Sequence, residues 1–196
     1  QIPWYYMCDE EGIYLMSETN LESHGSFQKL GAIEPSCNVP GSIPQWKEAV
    51  IDRARNNFET FKNHTSVLFW SLGNESYAGD NIEAMNQYFK DKKDGRLVHY
   101  ESSYYNRAYE DTISDIESRM YAKTADVEEY LINSAKKPYI LCEFMHDMGN
   151  SMGGLGSYME LIDKYEMYQG GFIWDFIDQA ILVKDEVTGK EVLRYG

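Results

Sequence analysis

Two glutamates, Glu75 and Glu143, follow apolar runs of the sequence, at 67–70 and 139–142. Two carboxyl groups that face one cavity can divide the work of cleaving a glycosidic bond, because one stays ionised as a nucleophile while the other is held protonated as an acid. A separation of about 5–5.5 Å is typical when the sugar keeps its configuration. Strand-end carboxylates also pair with Arg or cap helices, and the residues alone leave this structural interpretation open.

A second candidate group lies at 22–24, where Glu22 and His24 flank Ser23. In an extended segment these alternating side chains share a face, so that a carboxylate oxygen and an imidazole nitrogen could hold a divalent ion, with Glu75 as a further ligand. The segment lacks the carboxylate spacing of a calcium loop and the His-Glu-x-x-His pattern of a zinc protease. A histidine that bonds a backbone carbonyl therefore stays the alternative.

The segment after Glu143 combines His146 with glycines at 149–154. The glycines indicate a tight loop where a ligand or another backbone comes close. A phosphate-binding loop would need a Lys followed by Ser or Thr, which this segment lacks. Trp174, beside Asp175, is interpreted either as an aromatic platform for a sugar face or as a core residue.

Strand and helix patterns alternate along the chain. Short apolar runs predict strands at 12–16, 67–70, 97–100, 139–142 and 172–177. The run 67–70 is continuously apolar, which predicts a strand covered on both faces. Helical spacing of apolar residues predicts helices around 46–61, 82–89, 127–131 and 155–165. Asp80 with Glu83, and Thr124, are the predicted caps, and a long loop is predicted at 30–43.

This alternation predicts βα units around a parallel sheet. The Gly-x-Gly-x-x-Gly pattern of a nucleotide-binding open sheet follows none of the predicted strands. Acidic residues come after several of these strands: Glu22, Glu75, Glu101, Glu143 and Asp175. Because the carboxyl ends of barrel strands meet at one site, we predict the α/β class and a (β/α)8 TIM barrel.

The composition narrows the possible partners. The 196 residues include 18 Lys and Arg against 32 Asp and Glu, a net charge of −14, which is unfavourable for binding nucleic acid or an anionic membrane. No apolar run reaches the ~20 residues of a membrane helix. Cys8, Cys37 and Cys142 are too scattered for a disulfide framework. Free thiols suit a reducing compartment, so we expect a cytoplasmic location, with the periplasm as the alternative.

Four segments match one known family in collinear order. Trp-Ser-Leu-Gly-Asn-Glu-Ser at 70–76 is similar to its acid/base segment, 140–154 to its nucleophile segment, 20–25 to its magnesium segment and 169–179 to its last-strand segment. Together they resemble glycoside hydrolase family two. The Met-Gly-Asn-Ser stretch at 148–151 is similar to the large bacterial β-galactosidases of that family.

This resemblance implies a role for each matching residue. Glu75 would be the general acid/base and Glu143 the nucleophile in retaining hydrolysis of terminal β-D-galactosides such as lactose. The substrate would be bound by Asn74, Tyr121, His146 and Trp174. Magnesium would be held by Glu22, His24 and Glu75.

The resemblance also implies that other parts of such an enzyme lie outside this chain. In the family the acid/base follows the fourth barrel strand, so the run 12–16 would be the third. We therefore expect residues 1–196 to be one fragment of the catalytic barrel domain, about strands three to eight, that is weakly active or inactive alone. The family's sodium site would lie largely outside it, and the full-length enzyme would be a homo-oligomer.

Two alternatives stay open at this point. A β-glucuronidase of the same family would need a basic group for the carboxylate of its substrate. A barrel that binds carbohydrate without hydrolysing it would keep the pocket and show no turnover.

Overall fold

Two parallel three-stranded sheets form the framework of the computed structural model, which describes residues 2–24, 39–133, 135–148, 152–177 and 179–194. The first sheet contains β1 (Leu15–Glu18), β2 (Val67–Ser71) and β3 (Leu97–His99). The second contains β4 (Glu117–Met120), β5 (Tyr139–Phe144) and β6 (Tyr168–Ile173). Neighbouring strands in each sheet are parallel and follow chain order, as predicted.

Helices connect most of these strands. α1 (Ile2–Glu11) precedes β1, and the connecting helices are α2 (Lys47–Phe61), α3 (Asp80–Lys92), α4 (Thr124–Asn133) and α5 (Leu155–Lys164). The connection from β3 to β4 instead contains the short 3-10 turns Glu101–Tyr104 and Arg107–Tyr109. An antiparallel hairpin, β7 (Ile181–Lys184) with β8 (Glu191–Arg194), follows the second sheet. Within the described ranges, no helix is both long enough and apolar enough to cross a bilayer.

The two sheets meet between β3 and β4 without a regular ladder. The backbone N–H of Asp115 donates to the Val98 carbonyl at 2.8 Å, and its carboxylate accepts the Val98 N–H at 2.7 Å. His99 Nε2 on β3 lies 2.8 Å from Ser118 Oγ on β4. These contacts place six parallel strands in sequence order, as in part of a barrel wall. The described residues do not close that wall into a barrel.

Each sheet packs against its own apolar core. Trp70 of β2 is fully buried against Ala54 of α2 and Ile82 of α3. In the second sheet, Leu141 of β5 is buried with Val127 of α4 and other residues of its cluster. The predicted periodicity of the helices therefore identifies the faces that cover the sheets and hold the strand ends in place.

The ends of several strands differ from the prediction. The last strand of the second sheet is Tyr168–Ile173 rather than 172–177, so Trp174 and Asp175 follow it. Gly171 lies within this strand, opposite Leu141 of β5, and the close approach favours glycine because a Cβ there would lie 2.8 Å from the Leu141 side chain. The first strand begins at Leu15 rather than at residue 12. Leu68 of β2 is exposed, so the prediction that both faces of this strand are covered was wrong.

The predicted helix caps were also displaced. Gly79, not Asp80, precedes α3, and the N–H groups of Asp80 and Asn81 donate to Ser42 Oγ and the Gly41 carbonyl at 3.0 and 3.1 Å. A segment remote in sequence thus satisfies the end of this helix, which a local pattern does not reveal. Thr124 is the first residue of α4 rather than its cap. Most of the predicted loop, 30–38, lies outside the described residues.

Candidate active site

The turn after β2 presents Asn74 and Glu75 between β1 and β3. Gly73 has φ +144, and a Cβ on it would lie 2.5 Å from the Leu21 carbonyl oxygen, so the close approach of the two turns requires glycine. The N–H of Asn74 donates to that same carbonyl at 2.8 Å. Glu75 has a left-handed backbone, φ 38, and its N–H donates to Glu101 Oε1 at 2.8 Å.

His24 contacts both of the other predicted metal ligands. His24 Nε2 lies 2.7 Å from Glu75 Oε2, and His24 Nδ1 lies 3.2 Å from Glu22 Oε1. Burial raises the pKa of Glu75, while the neighbouring His24 lowers it and Glu22 raises it further. The imidazole therefore lies between two carboxylates, and these donor types fit a divalent cation.

Glu143 is held by Tyr121 at the end of β5. The Tyr121 hydroxyl donates to Glu143 Oε2 at 2.9 Å, and the Tyr121 N–H donates to the Glu143 carbonyl at 2.8 Å. Burial raises the pKa of Glu143, the Tyr121 hydrogen bond opposes that rise, and Glu75 adds to it. The His146 ring, 6.0 Å from the Tyr121 ring between centroids, lies on the same side and also lowers this pKa.

A cavity of about 250 Å³ joins these groups. It opens between the two sheets, because β1, β3, β5 and β6 all contribute to its wall. Its lining residues are Met16, Glu18, Glu22, Asn74, His99, Cys142, Glu143, Phe172 and Trp174. Four predicted site residues thus line one cavity, and His24, Glu75, Tyr121 and His146 adjoin them through the contacts above.

A larger cavity, about 470 Å³, contains none of the predicted site residues. It lies beside β4 and α4, and its wall includes an ion-pair network in which Arg107 and Arg119 both contact the buried carboxylate of Glu117. Mutually neutralised charges of this kind are typical of a structural network. We therefore assign the site to the smaller cavity.

Glu18 was missed as a site residue by sequence reasoning. It ends β1 and lines the smaller cavity, where the residue keeps an exposed surface but partial loss of hydration, with the charges of Glu143 and Glu22, raises its pKa. Its position as the polar residue that closes an apolar strand is the signal that could have identified it. The prediction instead followed the carboxylates that come after such runs.

His99 and Cys142 also line this cavity, and Glu101 lies beside them outside the lining. Donor atoms of these three residues lie within 4.8 Å of one another, a spacing that a metal could use. The two ring nitrogens of His99 already contact Ser71 Oγ and Ser118 Oγ, at 3.0 and 2.8 Å. Burial lowers the pKa of His99 to about 4, so it is a neutral hydrogen-bonded core residue at neutral pH.

Comparison with known proteins decides the family. Residues 1–196 match the family model described as glycosyl hydrolases family 2, TIM barrel domain. The chain belongs to this family. The predicted TIM-barrel class is thereby confirmed, and the two described sheets are part of such a barrel.

Named relatives of this family 2 chain are β-galactosidases. It is 69% identical over 196 residues to the "Beta-galactosidase large subunit" of Lactobacillus helveticus, covering 100% of this chain and 31% of that protein. It is 62% identical over 193 residues to the "Beta-galactosidase" of Clostridium acetobutylicum, covering 98% of this chain and 21% of that protein. The chain thus spans about a third or less of the length of these relatives.

Solved structures show the same fold at low identity. A family 2 β-galacturonidase from Eisenbergiella tayi, bound to galacturonate, superposes with a TM-score of 0.62 at 15% identity, over 88% of this chain and 35% of that one. A β-glucuronidase from Bacteroides uniformis gives 0.62 at 17% identity, over 89% and 25%. Likeness at this level of identity shows the family 2 barrel fold alone.

Proposed function

We propose that the full-length protein hydrolyses terminal β-D-galactosides with retention of configuration. The observation that carries the proposal is the placement of two carboxyl groups at one cavity: Glu143 of β5 lines it, and Glu75, in the turn after β2, adjoins it through His24 and the lining residue Glu22. Glu75 raises the pKa of Glu143, so the two groups lie close enough to influence each other's protonation. The names of the relatives support galactose as the sugar.

The proposed reaction has two steps. A Glu143 oxygen attacks the anomeric carbon while Glu75 transfers its proton to the departing glycosidic oxygen, so that a galactosyl ester forms and the aglycone leaves. Glu75, now ionised, then takes a proton from water as the water oxygen attacks the same carbon. The ester bond to Glu143 breaks, and galactose leaves with its original configuration.

The hydrogen bond from Tyr121 suits Glu143 to both steps. A donor 2.9 Å from the carboxylate stabilises its ionised form, and this is the form that attacks first and departs second. Burial raises the pKa of Glu75 and thereby favours the protonated form that the first step requires. In this proposal Asn74, His146 and Trp174 hold the sugar.

The cavity favours an uncharged sugar over a uronic acid. Three of its described lining residues are carboxyl-bearing (Glu18, Glu22 and Glu143), and none of those described is Lys or Arg. The carboxylate of a glucuronide would meet like charge from these side chains. This observation supports a galactoside rather than the β-glucuronide alternative.

We further infer that Glu22, His24 and Glu75 hold Mg²⁺. Two carboxylates in contact with one imidazole form a donor set that suits such an ion, and about half of the His24 and Glu22 side chains is exposed at the cavity mouth. A bound cation would supply positive charge beside Glu75 and order nearby water. We expect chelation to reduce turnover, added Mg²⁺ to restore it, and Glu22→Gln to need more Mg²⁺ for half-maximal activity.

Assembly and location remain predictions. Relatives named large subunits support a full-length protein that assembles with other chains. The homo-oligomer and the cytoplasmic location are predicted from the sequence alone. Light scattering of the purified full-length protein would give the number of copies.

The function is tested with a panel of nitrophenyl glycosides and the full-length protein. We expect the β-galactoside to be cleaved at least 100-fold faster than the β-glucuronide, with β-galactose as the first product by NMR. Glu143→Gln should remove this activity. Glu117→Gln should retain it, because Glu117 is a buried carboxyl group outside the lining of the smaller cavity. Preference for the glucuronide, or binding of galactose without turnover by the wild type, would refute the proposal.

A further inference from the structure

A buried carboxyl group supports the backbone of Glu75. Glu101 begins the 3-10 turn directly after β3, and only 2% of its surface is exposed. Its Oε1 atom accepts the N–H of Glu75 at 2.8 Å and faces the Ser102 hydroxyl at 3.3 Å. Glu101 thus contacts the peptide of the proposed acid/base while its side chain lies outside the cavity lining.

The backbone of Glu75 needs such support. Its φ of 38° lies in the left-handed region, which a residue with a side chain leaves unless its surroundings fix it. The neighbouring N–H groups are held as well, that of Asn74 by the Leu21 carbonyl at 2.8 Å and that of Ser76 by the Tyr100 hydroxyl at 3.2 Å. The acceptor is thus a backbone carbonyl for Asn74 and a hydroxyl for Ser76, whereas for Glu75 it is the carboxyl group of Glu101.

A displaced backbone would move the carboxyl group that has to reach the leaving oxygen. The Glu75 side chain is fixed at its far end by His24, 2.7 Å away, and at its root by the peptide that Glu101 holds. Loss of the root contact leaves a partly buried N–H without this partner and frees the turn to relax from its left-handed conformation. A misplacement of about 1 Å can cost about 100-fold in rate.

We propose that Glu101 is a positioning residue that aligns Glu75 for proton transfer to the leaving group. This inference rests on the proposed function of Glu75 and assigns to Glu101 no contact with substrate. A positioning role differs from a role in folding alone in its dependence on substrate. Loss of Glu101 would slow cleavage most for substrates whose leaving group needs an acid.

The test compares two aglycones in the full-length protein. Lactose has a poor leaving group that requires protonation, whereas 2,4-dinitrophenyl β-galactoside has a good one that departs without it. Glu101→Met keeps the length of the side chain and lacks the acceptor oxygen, while Glu101→Gln keeps that oxygen.

We expect Glu101→Met to lower kcat/KM about 10- to 100-fold for lactose and less than about threefold for the dinitrophenyl galactoside. Glu101→Gln should recover most of the lactose activity. Glu117→Met provides the matched control, because Glu117 is also buried, at 5% exposed, and contacts Arg107 and Arg119 rather than Glu75. Any loss in that variant should be equal for both substrates.

Three results would overturn the proposal. Equal losses on both substrates would assign Glu101 to the fold, and unchanged lactose activity in Glu101→Met would show that Glu75 is aligned without it. If Glu101→Met and Glu101→Ala both failed to fold while Glu101→Gln folded, the role would again be structural. Failure of the wild type to cleave either galactoside would instead refute the proposed function, so the two failures are distinguishable.

Discussion

At the scale of single residues, the proposed site depends on two glutamates with different partners: His24 lies 2.7 Å from Glu75, and Tyr121 donates a hydrogen bond to Glu143. Glu75 and Glu143 could be predicted because each follows an apolar run that becomes a strand. Tyr121 was expected through the resemblance alone, since its left-handed turn and its reach to Glu143 depend on the packing of β4 beside β5. Glu18 was missed because the prediction used carboxylates that come after apolar runs, whereas Glu18 is the polar residue that ends its strand.

Removal of the Tyr121 hydroxyl should impair the proposed nucleophile. Tyr121→Phe loses the 2.9 Å hydrogen bond that lowers the pKa of Glu143, so this pKa should rise. We expect kcat/KM to fall about 10- to 100-fold at neutral pH, which corresponds to about 1.5–3 kcal/mol for a hydrogen bond to a charged group. The acidic limb of the pH–rate profile should move to higher pH.

The hydroxyl of Tyr109 provides a control for this change. It donates to Asp80 on α3, away from the described cavity lining, so Tyr109→Phe should leave the acidic limb in place. A pH profile of Tyr121→Phe that coincides with that of the wild type would contradict the assigned role.

At the scale of elements, the spacing of apolar residues predicted the buried helix faces. It did not predict helix ends and turns that depend on contacts with residues remote in sequence. The face of α2 was predicted because Val50, Ala54 and Phe58 recur at helical spacing, and all three are buried. The predicted cap of α3 was wrong because Gly41 and Ser42, far away in sequence, accept the first N–H groups of this helix. The turn after β2 could not be predicted from local sequence either, because its conformation depends on contacts with the loop after β1.

That turn can be tested through two glycines. Gly73→Ala would place a Cβ 2.5 Å from the Leu21 carbonyl oxygen, so the two turns must separate and displace Asn74 and Glu75. Gly95→Ala serves as the control, because it has φ +85 with no atom within 4 Å of the added carbon. Backbone strain of about 1–3 kcal/mol is common to both substitutions.

We therefore expect Gly73→Ala to lower the urea midpoint further than Gly95→Ala and to reduce kcat/KM for lactose at least about 10-fold. Gly95→Ala should keep the activity of the wild type. Similar effects of the two substitutions on both measurements would show that the close approach of the turns is not what positions Glu75.

At the scale of the whole molecule, the alternation of strands and helices predicted the barrel class, and the family match confirmed it. The division of the described strands into two sheets was not predicted. It depends on β3 and β4, where side chains such as His99 and Ser118 replace a regular ladder. The cavity lies between these sheets, so the site depends on this junction as much as on the strands that carry its carboxyl groups.

The buried His99 should make the fold sensitive to acid. Its pKa is lowered to about 4, against about 6.5 in an unfolded chain, so between these pH values the unfolded state binds a proton that the folded state does not. Stability from this residue therefore falls as the pH decreases from about 6.5 towards 4. Relative to the wild type, His99→Gln should lose less unfolding free energy across this range, by up to about 3 kcal/mol.

Urea unfolding at pH 7 and pH 4.5 measures this difference. The raised pKa values of Glu18 and Glu101 act in the opposite direction, since the folded state then binds the additional protons, and they are present in both proteins. The comparison thus isolates His99. The same pH dependence in both proteins would contradict its assignment as a neutral core residue.

Covalent trapping can show whether Glu143 attacks the anomeric carbon of a β-galactoside. The full-length protein would be incubated with an activated 2-deoxy-2-fluorogalactoside, followed by intact mass measurement and peptide mapping. We predict one added 2-fluorogalactosyl group per chain, located on Glu143 and absent from Glu143→Gln. A label on a different residue, or turnover of the wild type without any label, would contradict the account.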